Sequence, residues 1–178
     1  MKQILLALAL IVLGAGQARA IDRQTTLLRV TGNLDANSPI TGGIPPFGAS
    51  AADYAAAAQF SAMGVVRDSL LAPHVLSFYF YHTGANSWSV VVVANGTDVG
   101  AVTPTSELGR VNLTFGADGN RTVVPVFPAS DIAATPTWSN GSSTTSPLNL
   151  TFDPFTSLTQ TSVVGSISDD SRRECSDL

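Results

Sequence analysis

The sequence is poor in cysteine, histidine and lysine, and each shortage excludes a class of site. The 178 residues include one cysteine, Cys175, and two histidines, so neither an internal disulfide framework nor a zinc site of paired cysteines can form. The only lysine is Lys2, which leaves the rest of the chain without a group for a Schiff base or a P-loop phosphate grip. Cys175 lies in the polar terminal stretch SRRECSDL, where we expect a solvated thiol.

The first 20 residues have the pattern of a secretory signal peptide. Lys2 precedes an apolar run over residues 4–13, and Ala18 and Ala20 form an A-x-A cleavage site. The apolar run is shorter than a membrane-spanning helix requires, so we expect no membrane span once the leader is removed. The pattern predicts an exported chain that begins at Ile21 and resides in the periplasm or outside the cell.

Cleavage of the leader would leave an acidic chain. It removes Lys2 and Arg19 from the nine basic residues, and the remaining seven arginines face 13 acidic residues. An acidic surface without a basic stripe is a poor partner for nucleic acid or for an anionic membrane. We therefore expect protein partners and no nucleic acid.

Short stretches with strand character dominate the chain after the leader. Apolar and polar residues alternate in VNLTF, residues 111–115, and again in PLNLTFD, residues 147–153. Such alternation is typical of an antiparallel sheet that is wetted on its outer side. About seven or more short strands with long polar loops predict an all-β fold, either an antiparallel barrel or a sandwich. We assign this domain to residues 21–168 and a polar, disordered tail to residues 169–178.

Turn signals separate the predicted strands. The stretch TTLLRVTGNL ends in a Gly-Asn pair at Gly32. In GADGN, residues 116–120, an Asp-Gly pair supplies the positive φ that a hairpin turn needs, and it joins VNLTF to RTVVPVF.

Two longer segments are predicted to be connections. Residues 38–60 are rich in proline and glycine and then in alanine, which indicates a surface excursion with one helical turn over the alanines. Residues 128–147 are polar, with a short strand expected near Trp138. We expect Trp138, Phe47 and Tyr54 to be exposed, where they could form a contact patch.

The densest aromatic stretch, VLSFYFYHTGANSWSV, is a predicted hairpin. Two registers are open: one places Trp88 on the face of Phe78 and Phe80, and a slip by one residue places it beside Tyr79 and Tyr81. We favour the first register because it gathers the larger apolar set. In that register the rings fill a core rather than line a site.

This hairpin and its flanks resemble the middle, outer domain of the bacterial flagellar hook protein, the D2-like domain of the FlaE type. The resemblance rests on an Asp-Ser-Leu turn, a histidine that opens an aliphatic and aromatic strand, a Thr-Gly-Ala-Asn turn and a tryptophan. Further blocks follow in the family's order, namely VTGNLDANSP, LTFGADGN, TWSNGSSTTSPLNLTFD and TQTSVVGSISDD. The residues that carry the motif and its core are Asp68, Ser69, Leu70, His74, Phe78, Phe80, Gly84, Asn86 and Trp88.

Two departures from the family pattern shape what the resemblance implies. Leu71 stands where members usually have glycine, so if the family turn needs a positive φ, the turn here should differ. The terminal segments with which hook subunits polymerise lie outside the resemblance, and hook subunits are exported without a cleaved leader. The resemblance therefore implies a stand-alone outer domain that its leader sends across a membrane.

The residues assemble no recognisable catalytic or metal-binding motif. His74 or His82 could be combined with serines and aspartates on paper, but there is no Gly-x-Ser-x-Gly elbow and no calcium-loop run of acids. We expect no catalytic residue, no cofactor and no metal; a deep pocket lined by His74 and carboxylates would instead indicate an enzyme. The resemblance implies a non-enzymatic structural module associated with the flagellum. The alternatives are a secreted or periplasmic binding module without a flagellar role, and a relic of an interrupted hook gene.

Overall fold

The computed structural model describes residues 23–124, 129–142 and 147–169. The predicted signal peptide and Cys175 lie outside these residues, and Asp169, expected to open the tail, is the last residue of a strand. The described residues form eight strands, one α-helix and one 3-10 turn. In chain order these are β1 (Leu27–Asp35), α1 (Ala51–Ala57), β2 (Phe60–Arg67), β3 (Pro73–Gly84), β4 (Ser87–Asn95), the 3-10 turn (Gly96–Val99), β5 (Thr105–Thr114), β6 (Ile132–Ala134), β7 (Leu148–Leu158) and β8 (Val163–Asp169).

The strands form two four-stranded sheets that pack face to face. In the meander sheet, β2, β3, β4 and β5 follow one another in chain order, and each is antiparallel to the next. The mixed sheet has the order β6-β7-β1-β8; there β1 runs parallel to β7 and antiparallel to β8. The all-β prediction is confirmed in its sandwich form, whereas the expectation of purely antiparallel pairing is wrong between β1 and β7. The alternation of apolar and polar residues indicates which face of a strand is buried. It does not indicate whether a strand distant in sequence pairs with it in a parallel or an antiparallel direction.

Aromatic rings from the two sheets meet at the centre of the core. Phe80 of the meander sheet stacks on Phe155 of the mixed sheet with 5.7 Å between ring centroids, and it meets Phe152 edge-on at 6.3 Å. Trp88 is fully buried in the same cluster. Burying a large apolar side chain contributes roughly 1.5–3 kcal/mol before conformational entropy is subtracted, so these rings dominate the stability of the sandwich.

The β3–β4 hairpin adopts the favoured register. Phe80 pairs with Val90, which sets Trp88 on the inner face together with Phe78 and Phe80. The intervening tyrosines of β3 point to the opposite face and belong to a second, smaller cluster. The alternation predicted for VNLTF and PLNLTFD is also present, with the apolar set of each turned inward.

The excursion over residues 38–60 covers part of the outer face of the meander sheet. Its helix α1 has seven residues, about two turns instead of the expected one. The helix begins with a capping box, in which the Ser50 hydroxyl accepts from the Asp53 amide and the Asp53 carboxylate accepts from the Ser50 amide. These paired bonds stabilise a helix that is otherwise too short to persist.

Tyr54 anchors α1 to the sheet. Its ring is fully buried and stacks on Tyr79 with 5.5 Å between centroids, and its backbone carbonyl accepts a hydrogen bond of 3.0 Å from the Tyr81 hydroxyl. The expectation that Tyr54 is exposed is therefore wrong. Phe47, by contrast, is 70% exposed.

The Gly-Asn pair at Gly32 lies within β1 and does not form the predicted turn. The pairing of β1 with both of its neighbours shifts register next to Gly32. A Cβ atom at this position would overlap the carbonyl oxygen of Val163, so the glycine permits the close approach of β8 at a bulge.

The Asp-Gly pair of GADGN does form a turn, with a positive φ of 75° at Gly119. A Cβ atom there would overlap the backbone carbonyl oxygen of Ser157 as well as the Leu158 side chain, so glycine is also required for packing. The return strand is not the one predicted: within residues 121–124 there is only an isolated bridge between Phe115 and Arg121, and residues 125–127 lie outside the described part.

A buried ion pair follows this turn. Arg121 binds both carboxylate oxygens of Asp131, and the two side chains are 5% and 2% exposed. Arg121 also donates to the carbonyl of Phe152 at 2.8 Å, and Asp131 accepts from the amide of Phe152 at 2.8 Å. The pair therefore fixes the chain before β6 against β7, an arrangement that the sequence did not reveal.

Candidate functional site: the Asp68 turn and the β3–β4 hairpin

The turn between β2 and β3 is organised by the side chain of Asp68. One carboxylate oxygen accepts from the amides of Leu70 at 2.8 Å and Ala72 at 2.9 Å. The backbone closes the same loop, since the Asp68 amide donates to the Ala72 carbonyl at 3.1 Å and the Leu71 amide donates to the Asp68 carbonyl at 3.0 Å. Asp68 is thus a structural acceptor, while Ser69 and Leu70 are exposed at the tip.

Leu71 occupies the left-handed region of this turn, with φ of 65°. We expected the turn to differ if its geometry required glycine; that expectation is wrong, because the positive φ is present with leucine in place. The Arg67 guanidinium donates to the Leu71 carbonyl at 3.0 Å, and the bonds of Asp68 hold the residues on either side. These contacts offset the cost of a conformation that side chains with a Cβ rarely adopt.

His74 joins the turn to two other segments. Its Nε2 donates to the second carboxylate oxygen of Asp68 at 2.9 Å, and its ring stacks on Trp138 with 3.7 Å between centroids. Its Nδ1 lies 3.6 Å from a carboxylate oxygen of Asp98, and Asn140 donates to Asp68 from the loop after β6. Trp138 is 5% exposed, so the expectation of a surface tryptophan is wrong. The short strand expected near it is β6, several residues earlier.

The ionisation of Asp68 follows from these contacts. Burial raises the pKa of the Asp68 carboxyl, but hydrogen bonds from His74, Asn140 and the amides of Ala72 and Leu70 together lower the pKa well below its ordinary value. The carboxylate is therefore charged at neutral pH and fully occupied by donors. Such an acceptor holds structure and has no free lone pair facing a substrate.

The turn of the β3–β4 hairpin uses Asn86 and not Gly84 for its left-handed residue. Asn86 has φ of 57°, and its carbonyl accepts from the Phe115 amide at 2.9 Å. Gly84 lies at a shift of the strand register, where an added Cβ would meet no atom within 4 Å. Asparagine is the residue other than glycine that best tolerates this conformation.

Neither histidine is arranged as a catalytic base. His82 stacks on Trp88 at 4.7 Å, and its Nδ1 donates to the carbonyl of Ser38 at 2.6 Å. In the described part of the chain, the hydrogen-bond partners of the two rings are Asp68 and this carbonyl, with no serine hydroxyl among them. The Ser-His-Asp geometry of a hydrolase is therefore not assembled around either ring.

Two grooves on the described residues have no histidine in their lining. A groove of about 300 Å³ runs between β5 and the segment after β6, and another of about 200 Å³ lies beside α1; neither is lined by His74 or His82. Among the residues that the structure describes, no three His, Cys, Asp or Glu side chains cluster as metal ligands. Over the same residues, no helix has the length and apolar character needed to cross a membrane.

Comparison with known proteins agrees with this architecture. A family described as the flagellar basal body protein FlaE D2 domain matches residues 33–170. Among solved structures, the 32 kDa fragment of the flagellar hook protein FlgE from Caulobacter crescentus is similar, with a TM-score of 0.50 and 16% identity over 64% of this chain and 46% of the fragment. The chain thus spans less than half of that fragment. A search of curated protein sequences gives no match.

The two four-stranded sheets and the buried turn network define a β-sandwich domain. The match extends over more than half of the chain, from the last residues of β1 to the end of β8. The chain belongs to the flagellar FlaE D2 domain family.

Proposed function

We propose that this chain is a non-enzymatic structural module of the flagellum, which acts through protein contacts at its surface. The observation that carries the proposal is the family match over residues 33–170, which includes the turn and hairpin described above. The likeness to the hook protein fragment supports the fold of the module.

The chemistry of the family motif supports a scaffold role. The polar side chains Asp68 and His74 are buried and bonded to each other, and the rings of Phe78, Phe80 and Trp88 fill the core. None of these groups lines either of the two grooves described above. What the domain offers to other molecules is its solvent-facing strands and loops.

Export by the predicted leader forms part of the proposal. The leader would deliver the chain to the periplasm or the cell exterior, where a partner of the flagellum would bind it. The acidic balance of the exported chain supports a protein partner over nucleic acid.

Detection in purified hook-basal bodies tests the proposal. We expect an epitope-tagged chain to co-purify with these particles from motile cells, and a deletion strain to lose motility. A Trp88→Ala variant, which removes a fully buried ring, serves as the control that should be absent from the particles because its sandwich is destabilised. Absence of the parent chain from the particles, together with unimpaired motility of the deletion strain, would refute the flagellar role and favour the secreted binding module.

A further inference from the structure

In the described residues, the meander sheet ends at β2, and no strand pairs with the outer side of residues 61–65. β2 is the end strand of its sheet, and its pairing with β3 runs without a register shift from Phe60 to Arg67. At Arg67 the open side is already bonded, since its amide donates to the Thr25 hydroxyl at 3.0 Å and its carbonyl accepts from the Thr25 amide at 2.9 Å. Alternate residues of an antiparallel strand point their backbone amides and carbonyls to the same side. The backbone groups of residues 61, 63 and 65 therefore face the same side as those of Arg67, away from β3.

This stretch, residues 61–65, which we term the open edge, lacks the features that usually protect an end strand. It contains no charged residue and no proline, and its outward side chains Met63 and Val65 are 73% and 55% exposed. Val75, the cross-strand neighbour of Val65, is 48% exposed and extends the same apolar surface. Unprotected edges of this kind pair with other strands.

The other end strands in the described residues differ from the open edge. β5 carries Glu107 and Arg110, and its pairing with β4 contains a register shift. β6 is three residues long, and the pairing of β8 with β1 is interrupted at Gly32. Short length, charge and bulges are the usual means of preventing strand addition. The open edge differs from the other end strands because it has none of these three features.

We propose that the open edge pairs with the open edge of a second copy of this chain, in an antiparallel arrangement centred on Met63. In this register Ser61 lies opposite Val65 of the other copy, and the small inner residues Ala62 and Gly64 face each other. No like charges are opposed, and one patch serves both copies, as a two-fold interface requires. The two meander sheets then become one continuous sheet of eight strands.

The length of the open edge sets the strength of the contact. The pairing cannot extend past Arg67, where Thr25 already occupies the edge, so only about five residues of each copy take part. An interface of this size falls below the roughly 1,000 Å² of a stable complex and is therefore weak. Because both copies are acidic and the contact contains no ion pair, added salt should leave the association unchanged or strengthen it.

Engineered cysteines test the register. In a Cys175→Ser background, Met63→Cys should form an intermolecular disulfide under mild oxidation, since directly opposed Cα atoms lie about 5.5 Å apart. Ser61→Cys is the matched control on the same strand, because its two copies would be roughly 14 Å apart, beyond disulfide reach. Equal cross-linking of both variants, or of neither, would overturn the proposed pairing.

Sedimentation equilibrium of the purified chain up to millimolar concentration tests the association itself. We expect a monomer–dimer equilibrium that Met63→Lys weakens on the order of tenfold, because two lysines would then be opposed. Val102→Lys, at a fully exposed loop position away from β2, should leave the equilibrium unchanged. A monomer at all concentrations, or an equal effect of both lysines, would refute the proposal. This test does not depend on the flagellar assignment.

Discussion

Four single variants test whether the turn after β2 holds a leucine in the left-handed region. In these variants Leu71 or its neighbour Leu70 is replaced by glycine or by alanine. Leu71 has φ of 65°, and Leu70 is not among the positive-φ residues of the described chain. The two side chains are 36% and 62% exposed, so neither is a core residue whose loss would unfold the domain. The difference between glycine and alanine at one position reports the backbone alone, since neither variant retains the leucine side chain.

The expected magnitudes have opposite signs at the two positions. A residue with a Cβ costs about 1–2 kcal/mol in the left-handed region. Glycine costs about 0.5–1 kcal/mol in lost conformational freedom. Leu71→Gly should therefore be more stable than Leu71→Ala by about 0.5–1 kcal/mol. At Leu70, where glycine has no such advantage, the alanine variant should be the more stable one by a similar amount.

Urea unfolding of the four variants provides the measurement. Trp88 and Trp138 are both buried, so their fluorescence should report loss of the sandwich. Equal denaturant slopes would show that the variants unfold to similar states. If alanine is the more stable residue at both positions, the left-handed assignment of Leu71 is wrong, and the turn differs from the one described.

Three further changes test other parts of the structure. Because hydrogen bonds lower the pKa of Asp68 in the folded state, its carboxylate contributes stability that is present above about pH 4 and lost as the pH falls. Asp68→Asn should thus be less stable at pH 7, with a gap that narrows in acid. Arg121→Leu leaves Asp131 charged and buried, and should cost about 3–5 kcal/mol in chemical denaturation. Tyr54→Ala should cost about 3–5 kcal/mol, whereas Tyr54→Phe, which removes only the hydroxyl bonds to Pro46 and Glu107, should cost about 0.5–1.5 kcal/mol.

Each of these three has a distinct contrary result. A gap between Asp68→Asn and the parent that is constant from pH 7 to pH 2 would show that the carboxylate contributes nothing through its charge. An Arg121→Leu variant as stable as the parent would mean that Asp131 reaches solvent. If Tyr54→Phe costs as much as Tyr54→Ala, the hydroxyl bonds and not the stacked ring hold α1 to the sheet.

The inner faces of the sandwich could be predicted from the sequence, because period-two alternation is a local property. Phe78 and Phe80 fall on one face by spacing alone, and Trp88 was assigned to that face by choosing the register that gathers the larger apolar set. The parallel pairing of β1 with β7 had no such signal, since the two strands are joined by most of the chain.

Burial of polar and amphipathic residues was harder to predict. Tyr54 and Trp138 lie in stretches rich in alanine, proline and small polar residues, which read as surface segments. Their burial depends on partners elsewhere in the chain, namely the outer face of the meander sheet for Tyr54 and the His74 ring for Trp138. The Arg121–Asp131 pair was missed for the same reason: a charged residue gives no sign in sequence that its partner will be buried with it.

The antiparallel pairing of β1 with β8 has a mechanical consequence. Leu28 lies opposite Asp169, so the two ends of the described fold leave side by side from one corner of the mixed sheet. Tension applied through these ends would load the backbone hydrogen bonds between β1 and β8 one after another, beginning at that corner. The domain should therefore yield first at this corner, where the tension also loads the two hydrogen bonds between Thr25 and Arg67 of β2, before the last strand peels away.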